Sequence, residues 1–276
     1  MTLTIVVATY KGEDLLPDCL ESIYTQEGLP HGWELVLVGD AAQINGARII
    51  PEPDPPQGNI AAMDVGIRAA YADWVLFVAN DVRLHPDCVR RLWDHRSYYD
   101  VIQPVLFQPN GQIDNMGLHW RWPGYGARVR TTPWCQKPPY VTDAFSATCF
   151  LLYKPTYLAL GGFCRELGVS HEDIDYSLKV RANGGSCRYC PHAEATHLMG
   201  QTIGRVLGGN LSPRYHTARM RVLRRHYFGV DYAIRAGLVS LLDGAAARMR
   251  RAARNGSGSG RGPRSRPPTI PPLAIA

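Results

Sequence analysis

Acidic and amide side chains stand directly after two apolar runs of the sequence, a place that suits metal and phosphate chemistry. Asp40 closes one of these runs, and Asn80 and Asp81 close the run Trp74–Ala79. Mg²⁺ and Mn²⁺ favour one or two carboxylates together with phosphate oxygens, so such an acid can hold a cation and a diphosphate at once. An acid at the end of a strand is also typical of a turn or a helix N-cap. Both roles stay open for these residues.

Three carboxylates occur within four residues, at Glu172, Asp173 and Asp175. Their like charges repel, which raises their pKa values unless a cation, a helix N-terminus or a substrate hydroxyl compensates. Acids are favourable in the first turn of a helix, and that is the structural interpretation of the cluster. A carboxylate with a modestly raised pKa beside an acceptor hydroxyl is also what a general base requires. The cluster is therefore a candidate source of a catalytic base.

A single histidine, His197, follows a strand-like run. Such a residue is more often structural, yet together with Asp81 it would complete a metal site of oxygen and nitrogen ligands. His192 competes for this role, but its place after Pro191 at a turn predicts that it is exposed. Residues 187–190 have the Cys-x-x-Cys spacing without a second pair that would complete a zinc site. We interpret these two cysteines as half-buried residues of a strand.

Two hydrophobic patterns alternate along the first part of the chain. Continuous β-branched runs predict buried strands, and apolar residues at helical spacing predict helices between them. The strands are expected at Leu3–Tyr10, Trp33–Val38 and Trp74–Ala79, and the helices at Asp14–Gln26 and Ile60–Tyr71. The alternation is typical of an α/β fold whose mostly parallel sheet is covered by helices on both faces.

Ligands of such folds bind beyond the carboxyl ends of the strands, which meet at one edge of the sheet. Thr9, Asp40, Asn80 and Asp81 stand at predicted strand ends, so we expect them to share one crevice. Further along the chain, apolar residues 144–153 predict another strand. The spacing after His171 predicts a helix that stops at the glycines of residues 183–185.

Length and composition limit the class of protein. The 276 residues, 45% of them hydrophobic, suffice for a buried core and contain no apolar run long enough to cross a membrane. Met1 leads directly into a strand-like run, so we expect no secretory signal peptide. The odd number of cysteines, seven, favours a reducing, cytoplasmic setting.

The positive charge is concentrated at the C-terminus. Seven of the 30 basic residues stand after Asp243, the last acid, which leaves 23 bases against 24 acids in residues 1–243 and a net charge of −1 there. A basic groove for a nucleic-acid backbone is therefore not supported in the folded part.

Several motifs of this chain, taken in order, resemble those of family 2 glycosyltransferases. The first group is Ile5-Val-Val-Ala-Thr-Tyr10, Val36-Leu-Val-Gly-Asp40, Gly58-Asn-Ile-Ala-Ala-Met-Asp-Val-Gly66 and Val75-Leu-Phe-Val-Ala-Asn-Asp-Val82. The second group is Leu160-Gly-Gly-Phe163, His171-Glu-Asp-Ile-Asp-Tyr-Ser-Leu178, Arg181-Ala-Asn-Gly-Gly185 and Ala193-Glu-Ala-Thr-His197. The resemblance covers about residues 3–200.

The resemblance implies the GT-A fold, an α/β architecture with a mixed, mostly parallel central sheet flanked by helices. It also implies an inverting transfer from a nucleoside-diphosphate sugar to an acceptor hydroxyl, with Mn²⁺ or Mg²⁺ as cofactor. Asp173 matches the general base, with Glu172 beside it, and Asp81 and His197 match the metal ligands. The donor nucleotide would be bound by Thr9, Tyr10, Glu13, Asp40, Asn59, Asp64 and Asn80.

Three positions depart from the pattern of that family. Asn80 stands where an acid is common, Asp64 replaces a usual asparagine, and Cys164 stands where an aspartate is usual. One full carboxylate is therefore left at the metal site. A nucleotide-sugar-binding protein with impaired catalysis is accordingly one alternative. Another is a glycosyltransferase that acts on nucleic acid or protein and is recruited by the basic tail.

A third, more distant alternative is a nucleotidyltransferase of similar α/β build. It would need a glycine-rich, basic phosphate loop near the first strand, for which Lys11-Gly12 is a poor match.

The stretch from residue 108 to 143 is rich in glycine, proline and large aromatic residues, as loops and short strands are. A loop of this length in a compact domain is usually functional or disordered. We expect Trp120, Trp122 and Trp134 to stack on an acceptor such as a glycan or a lipid-linked sugar. A small hydrophobic cluster under a long loop is the structural alternative.

We divide the chain into a glycosyltransferase domain (1–230), an amphipathic basic helix (231–254) and a disordered tail (255–276). The domain has a nucleotide-sugar-binding half (1–105) and an acceptor half (106–230). The apolar stripe of the helix predicts contact with an anionic membrane surface, with the chain's own domain or with a second subunit of a homodimer.

Overall fold

The computed structural model describes most of the chain. The described residues are 2–9, 14–39, 44, 46–51, 58–98, 100–128, 141–168, 170–198 and 212–256. The predicted disordered tail lies outside the described residues from position 257 onward.

The first half of the chain forms the parallel part of a large sheet. Its elements are β1 (Leu3–Ala8), α1 (Leu16–Tyr24), β2 (Glu34–Val38), β3 (Ala47–Ile50), α2 (Asn59–Ala69) and β4 (Trp74–Ala79). β1 pairs in parallel with β2 and β4, and β2 pairs in parallel with β3. The three predicted strands and two predicted helices lie within two residues of their predicted bounds.

The second half extends this sheet and covers it. Its strands are β5 (Val82–Leu84), β6 (Val101–Phe107), β7 (Ile113–Asn115), β8 (Leu118–Arg121), β9 (Tyr125–Arg128), β10 (Val141–Thr142), β11 (Cys149–Tyr153) and β12 (Cys187–His197). Its helices are α3 (Cys88–Asp94), α4 (Lys154–Ala159), α5 (Glu172–Ala182), α6 (Ser212–His226) and α7 (Gly229–Gly256).

Antiparallel strand β11 joins the two halves, because it pairs with β4 on one side and with β6 on the other. The strand order across the sheet is β10-β12-β6-β11-β4-β1-β2-β3, with β5 paired to β12 and β7 paired to β6. β8 and β9 form a separate hairpin. The sheet is therefore mixed and mostly parallel around β1, as the sequence predicts.

Two hydrophobic cores cover the two faces of the sheet. Val6 and Phe77 face the core that α2 and α5 complete, whereas Ile5 and Leu76 face the core that α1 and α3 complete. Successive residues of a strand point to opposite faces, so strands buried on both faces must be apolar without interruption. Cys187 and Cys190 follow the same alternation in β12, one in each core, as buried free thiols.

One predicted strand is shorter than expected. The apolar residues 144–153 form a strand only from Cys149 onward. Phe145 donates its backbone N–H to Ser177 Oγ (3.3 Å), and Ser146 donates to Gln103 Oε1 (2.7 Å). These backbone groups therefore bond to side chains rather than to a neighbouring strand, although the residues are as buried as a strand would be.

The β8–β9 hairpin and α6 lie beside α5, and α7 packs against α6 and bonds to β9. The largest helix, α7, is two residues longer at each end than the predicted amphipathic helix. None of the described helices combines the length and hydrophobicity that crossing a lipid bilayer requires.

Candidate functional site

The carboxyl ends of β1, β2 and β4 meet at one edge of the sheet, as their parallel pairing requires. Thr9 donates its backbone N–H to Val38 O (2.8 Å), and Asn80 donates a side-chain N–H to Thr9 Oγ1 (3.5 Å). Gly39 has φ +133°, and a Cβ at this position would lie 1.9 Å from Thr9 O. The backbones approach so closely here that only glycine fits. The structure therefore brings Thr9 and Asn80 together.

Asp81, between β4 and β5, faces His197 at the end of β12. His197 ends β12 and pairs with Val82 of β5, which brings its Nε2 to 3.6 Å from Asp81 Oδ2. Its Nδ1 lies 3.0 Å from Asp114 Oδ2, and all three side chains are buried. Burial lowers the pKa of His197, but the bonds and charges of Asp114 and Asp81 outweigh it and raise this pKa to about 9.

Asp114 is a residue of this site that the sequence does not reveal. It has no acidic neighbour in sequence and lies in a stretch for which the composition predicts loops and short strands. No sequence motif links its position to that of His197. Only the pairing of β7 and β12 with the two sides of β6 brings the two residues together.

The pair Asp81 and His197 fits a cation that also binds a diphosphate. Within the described ranges, three or more His, Cys, Asp or Glu side chains nowhere form a group that could hold a metal ion. One carboxylate and one imidazole match an ion that takes its other ligands from phosphate oxygens and water. The bond from His197 Nδ1 to Asp114 is the type of contact that orients a metal-binding imidazole, and it leaves Nε2 facing Asp81. Because the two carboxylates raise the pKa of His197, Nε2 would have to release its proton to bind an ion.

The other predicted catalytic residues begin helix α5. Asp173 is partly exposed, and its Oδ1 accepts the backbone N–H of Ile174 (2.8 Å). Glu172 is buried, and its Oε2 has no hydrogen-bond partner among the described residues. Burial, followed by the charge of Asp173, raises the pKa of Glu172 to about 8. Glu172 therefore keeps its proton to higher pH than an ordinary glutamate, which lowers the negative charge beside Asp173.

The third acid of the cluster has a structural role. Asp175 is fully buried, and its carboxylate is bound by Arg225 (2.8 Å) and His226 (2.8 Å) of α6 and by Lys179 (3.3 Å). Burial raises its pKa, but these partners outweigh it and leave the pKa below the usual range. Asp175 thereby joins α5 to α6.

Asp64 forms a second buried ion cluster, on helix α2. Its two oxygens bind Arg68 (2.9 Å), Arg165 (2.7 Å) and the hydroxyl of Tyr157 (2.7 Å). These contacts join α2 to α4 and to the turn after Cys164. The donor-binding role implied for Asp64 stays a prediction, and the structure adds this packing role.

An aromatic cleft of about 600 Å³ lies between the β8–β9 hairpin, α5 and the junction of α6 and α7. Its lining includes Trp120, Trp122, Asp143, Leu178, Arg181 and Tyr227. Trp120 donates its ring N–H to the Tyr227 hydroxyl (2.8 Å), whereas Trp122 is 61% exposed. Asp143 accepts from Arg181 (3.2 Å) and from the backbone N–H of Trp120 (3.1 Å).

The cleft adjoins the beginning of α5. The ring of His171, directly before Glu172, meets that of Trp120 edge-on at 6.4 Å. Burial, then the charge of Arg219, lowers the pKa of His171 to about 4, so this ring is neutral at pH 7.

The remaining predicted site residues divide into two groups. Asn59 is exposed at the start of α2. Tyr10, Glu13, Asp40 and Trp134 lie outside the described residues.

The arrangement of strand-end residues, buried histidine and helix-borne carboxylates can now be compared with known proteins. The family model of glycosyl transferase family 2 matches residues 4–154, more than half of the chain. This chain belongs to glycosyl transferase family 2. No curated protein matches it.

Solved glycosyltransferase structures have the same fold as this family 2 chain. One is GalNAc-T7 with UDP, GalNAc and Mn²⁺, with a TM-score of 0.64 and 17% identity over 81% of this chain and 48% of that one. Another is S. aureus TarS 1–349 in complex with UDP-GlcNAc, with a TM-score of 0.59 and 17% identity over 81% of this chain and 66% of that one. The full TarS structure matches with a TM-score of 0.58 and 16% identity over 82% of this chain and 39% of that one.

These neighbours confirm the GT-A fold that the resemblance implies. The chain spans about half the length of GalNAc-T7 and less than half of full TarS. Identities below one fifth show the fold alone, so the donor and acceptor are a matter of proposal.

Proposed function

We propose that this chain transfers a sugar from a nucleoside-diphosphate sugar to an acceptor hydroxyl, with inversion at the anomeric carbon. The observation that carries the proposal is the pair Asp81 and His197 at 3.6 Å, buried beyond the carboxyl end of β4. Family membership and the fold shared with proteins solved with UDP and UDP-GlcNAc support a uridine nucleotide as the first donor to test.

In the proposed reaction Asp173 acts as the general base. It takes the proton of the acceptor hydroxyl while that oxygen forms a bond to the anomeric carbon, on the face opposite the diphosphate. The bond from this carbon to the phosphate oxygen breaks, and its electron pair leaves with the diphosphate. One displacement of this kind inverts the carbon without a covalent enzyme intermediate.

We assign Asp81 and His197 to Mn²⁺ or Mg²⁺ bound together with the donor diphosphate. When bound, such a cation neutralises the negative charge that develops on the leaving group. Asp114 holds the His197 ring in the orientation that this role requires. Thr9 and Asn80 border the same edge and would contact the nucleotide, with Tyr10, Glu13, Asp40, Asn59 and Asp64 as the further donor-binding residues of the proposal.

The acceptor is proposed to lie in the aromatic cleft. Trp122 offers an exposed indole face, and Trp120 is held in place by Tyr227 and by the backbone bond to Asp143. Aromatic faces beside planar polar side chains suit a sugar ring, which has apolar C–H faces and polar edges. A glycan or a lipid-linked sugar is therefore the acceptor class that this cleft favours.

We also propose a reducing, cytoplasmic place of action. The six cysteines within the described part of the chain are free thiols, and five of them are buried. Burial, followed by the charge of Asp81, raises the pKa of Cys19 to about 12, which keeps this thiol unreactive.

The donor site is tested by thermal unfolding with UDP, UDP-GlcNAc and other nucleoside-diphosphate sugars, with and without Mn²⁺. A ligand at a hundred times its dissociation constant should stabilise the wild type by about 2.7 kcal/mol. Asp81→Asn should abolish the Mn²⁺-dependent part. The matched control is Asp73→Asn, because Asp73 is an exposed acid at the opposite end of β4.

Catalysis is tested separately by release of nucleoside diphosphate in the presence of simple glycosides. Asp173→Asn should lower kcat by about 10²-fold or more while donor stabilisation persists. Trp122→Ala should raise the KM for the glycoside without changing donor binding.

Two outcomes would contradict sugar transfer. Thermal stabilisation of the wild type by a donor without turnover would favour the alternative of a nucleotide-sugar-binding protein with impaired catalysis. A chain that no member of the donor panel stabilises would contradict the whole proposal.

A further inference from the structure

Helix α7 carries an apolar stripe that nothing in the described chain covers. Among described residues, eleven large hydrophobic side chains are exposed, and six of them belong to residues 228–249. Five lie on α7 and form what we call the outer stripe: Val230 (75% exposed), Ile234 (50%), Leu241 (65%), Leu242 (51%) and Met249 (67%). At about 100° per residue these five positions fall within about one third of the helix circumference.

The opposite face of α7 is attached to the rest of the molecule. Val239 is fully buried, and Asp243 accepts hydrogen bonds from the Tyr125 hydroxyl (3.0 Å), from His216 (2.7 Å) and from Arg219 (2.7 Å). The rotation of the helix about its axis is thus fixed by specific contacts. The outer stripe is exposed because the helix is docked in this orientation, not because the helix is undocked.

The charge of the chain changes sign along this helix. After Asp243 the sequence contains seven arginines and no acid, and four of these arginines belong to α7. An apolar stripe followed by uncompensated positive charge suits a partner that offers both hydrocarbon and negative charge. A bilayer surface containing anionic lipids has these properties. A second copy of this chain would match the stripe but would bring seven more arginines.

We propose that the outer stripe of α7 binds the surface of a membrane that contains anionic phospholipids. The helix lies in the plane of the interface, with the stripe among the acyl chains, and the positive charge of the sequence after Asp243 attracts the anionic headgroups. This inference goes beyond the proposed sugar transfer and does not depend on it.

The docking contacts connect this surface with the aromatic cleft. Arg235 donates to Pro123 O (3.3 Å), and Tyr227, between α6 and α7, accepts the ring N–H of Trp120. Both contacts reach the β8–β9 hairpin. A chain bound through α7 therefore holds the cleft close to the lipid surface, where a lipid-linked acceptor would be presented.

The test is vesicle flotation of the full chain, with phosphatidylcholine vesicles and with vesicles of phosphatidylcholine and phosphatidylglycerol in equal parts. We expect binding to the anionic vesicles that weakens in high salt. Leu241→Ser/Leu242→Ser should weaken this binding by about tenfold or more, since each leucine loses buried apolar area. Val141→Ser/Leu158→Ser removes two exposed apolar side chains elsewhere and should leave binding unchanged.

Circular dichroism of each variant establishes that it is folded, and Ile234→Ser/Met249→Ser serves as a second pair on the same stripe. Absence of wild-type binding, equal binding to both vesicle types, or full binding by folded stripe variants would overturn the proposal. A wild-type dimer that the stripe variants convert to a monomer in sedimentation velocity would assign the stripe to a second copy instead.

Discussion

Neighbouring carboxylates at the start of α5 have different environments, although they are adjacent in sequence. Glu172 is buried, and one of its oxygens has no partner in the part of the chain that the structure describes, whereas Asp173 is partly exposed and accepts a backbone N–H. A protonated Glu172 removes one negative charge from the cluster, and the partners of Asp175 neutralise another. The proposed base is thereby the one acid of the three whose side chain is partly exposed, since Glu172 and Asp175 are buried.

The burial of Glu172 makes stability depend on pH. Its pKa is about 8 in the folded chain, above the usual value, so stability from this group is complete at low pH and is lost as pH rises from the unfolded pKa through about 8. Glu172→Gln should remove this loss, giving the variant a relative gain of up to about 1.4 kcal/mol per pH unit in that window. Urea unfolding at pH 5 and at pH 8 measures the gain.

The control for this experiment is Glu21→Gln, which changes an exposed glutamate of α1. The unfolding free energy of this control should match that of the wild type at pH 5 and at pH 8. If the unfolding free energy of Glu172→Gln also changed with pH as that of the wild type does, burial would not raise the pKa of Glu172 in the folded chain.

At the scale of elements, two buried acids and one partly buried acid attach the helices to one another. Asp64 joins α2 to α4, Asp175 joins α5 to α6, and Asp243 joins α7 to α6 and to β9. Each carboxylate accepts hydrogen bonds from at least two basic or hydroxyl side chains, some of which belong to other elements. Removing the acid therefore leaves several donors, most of them partly buried, without an acceptor, which is more damaging than loss of one surface ion pair.

Asp243→Asn should loosen helix α7. The bonds from His216, Arg219 and Tyr125 hold the pKa of Asp243 below its usual range despite partial burial, and an amide replaces only part of them. We expect the variant to lose about 1–3 kcal/mol of unfolding free energy, the usual range for bonds to a charged group. Hydrogen exchange should also be faster across residues 229–249 than in β1.

Asp231→Asn is the matched control, because Asp231 is an exposed acid of the same helix whose bond to Arg235 stays within α7. It should change stability by less than about 1 kcal/mol. Unaltered exchange in Asp243→Asn would mean that Val239 and its apolar neighbours alone hold the helix.

At the scale of the whole molecule, the sheet separates two cores, and the buried cysteines divide between them. Cys187 lies in the core under α2 and α5, while Cys19, Cys88, Cys149 and Cys190 lie in the core under α1 and α3. Desolvation raises the pKa of these five thiols. The backbone around each thiol becomes accessible only when the core that contains it unfolds.

These thiols should report global unfolding. In native buffer, iodoacetamide should modify Cys164, which is only partly buried, well before the five core cysteines. The five should react together as urea unfolds the chain, because both cores rest on the same sheet. Mass spectrometry of peptides from a time course measures this order. Early modification of Cys187 with the others intact would show that the two cores open separately.

The sequence by itself determined the sheet-forming half and the acids at the strand ends, and the resemblance of its motifs to family 2 implied the GT-A fold. Uninterrupted β-branched runs are specific to strands buried on both faces, and the order of strands and helices limits how they can pair. The boundary at Cys149 was not predictable, because the backbone partners of residues 145 and 146 are side chains distant in sequence.

Only the tertiary structure decided which predicted residues act on one another. Asp114 reaches His197 through strands on either side of β6, and Asp64 and Asp175 each meet, besides a cation one helical turn away, an arginine that is distant in sequence. The same holds for α7, whose periodicity defined an apolar stripe but not which partner would cover it. Hydrophobic periodicity is a local property of the chain, whereas burial and charge pairing depend on contacts between segments that only folding brings together.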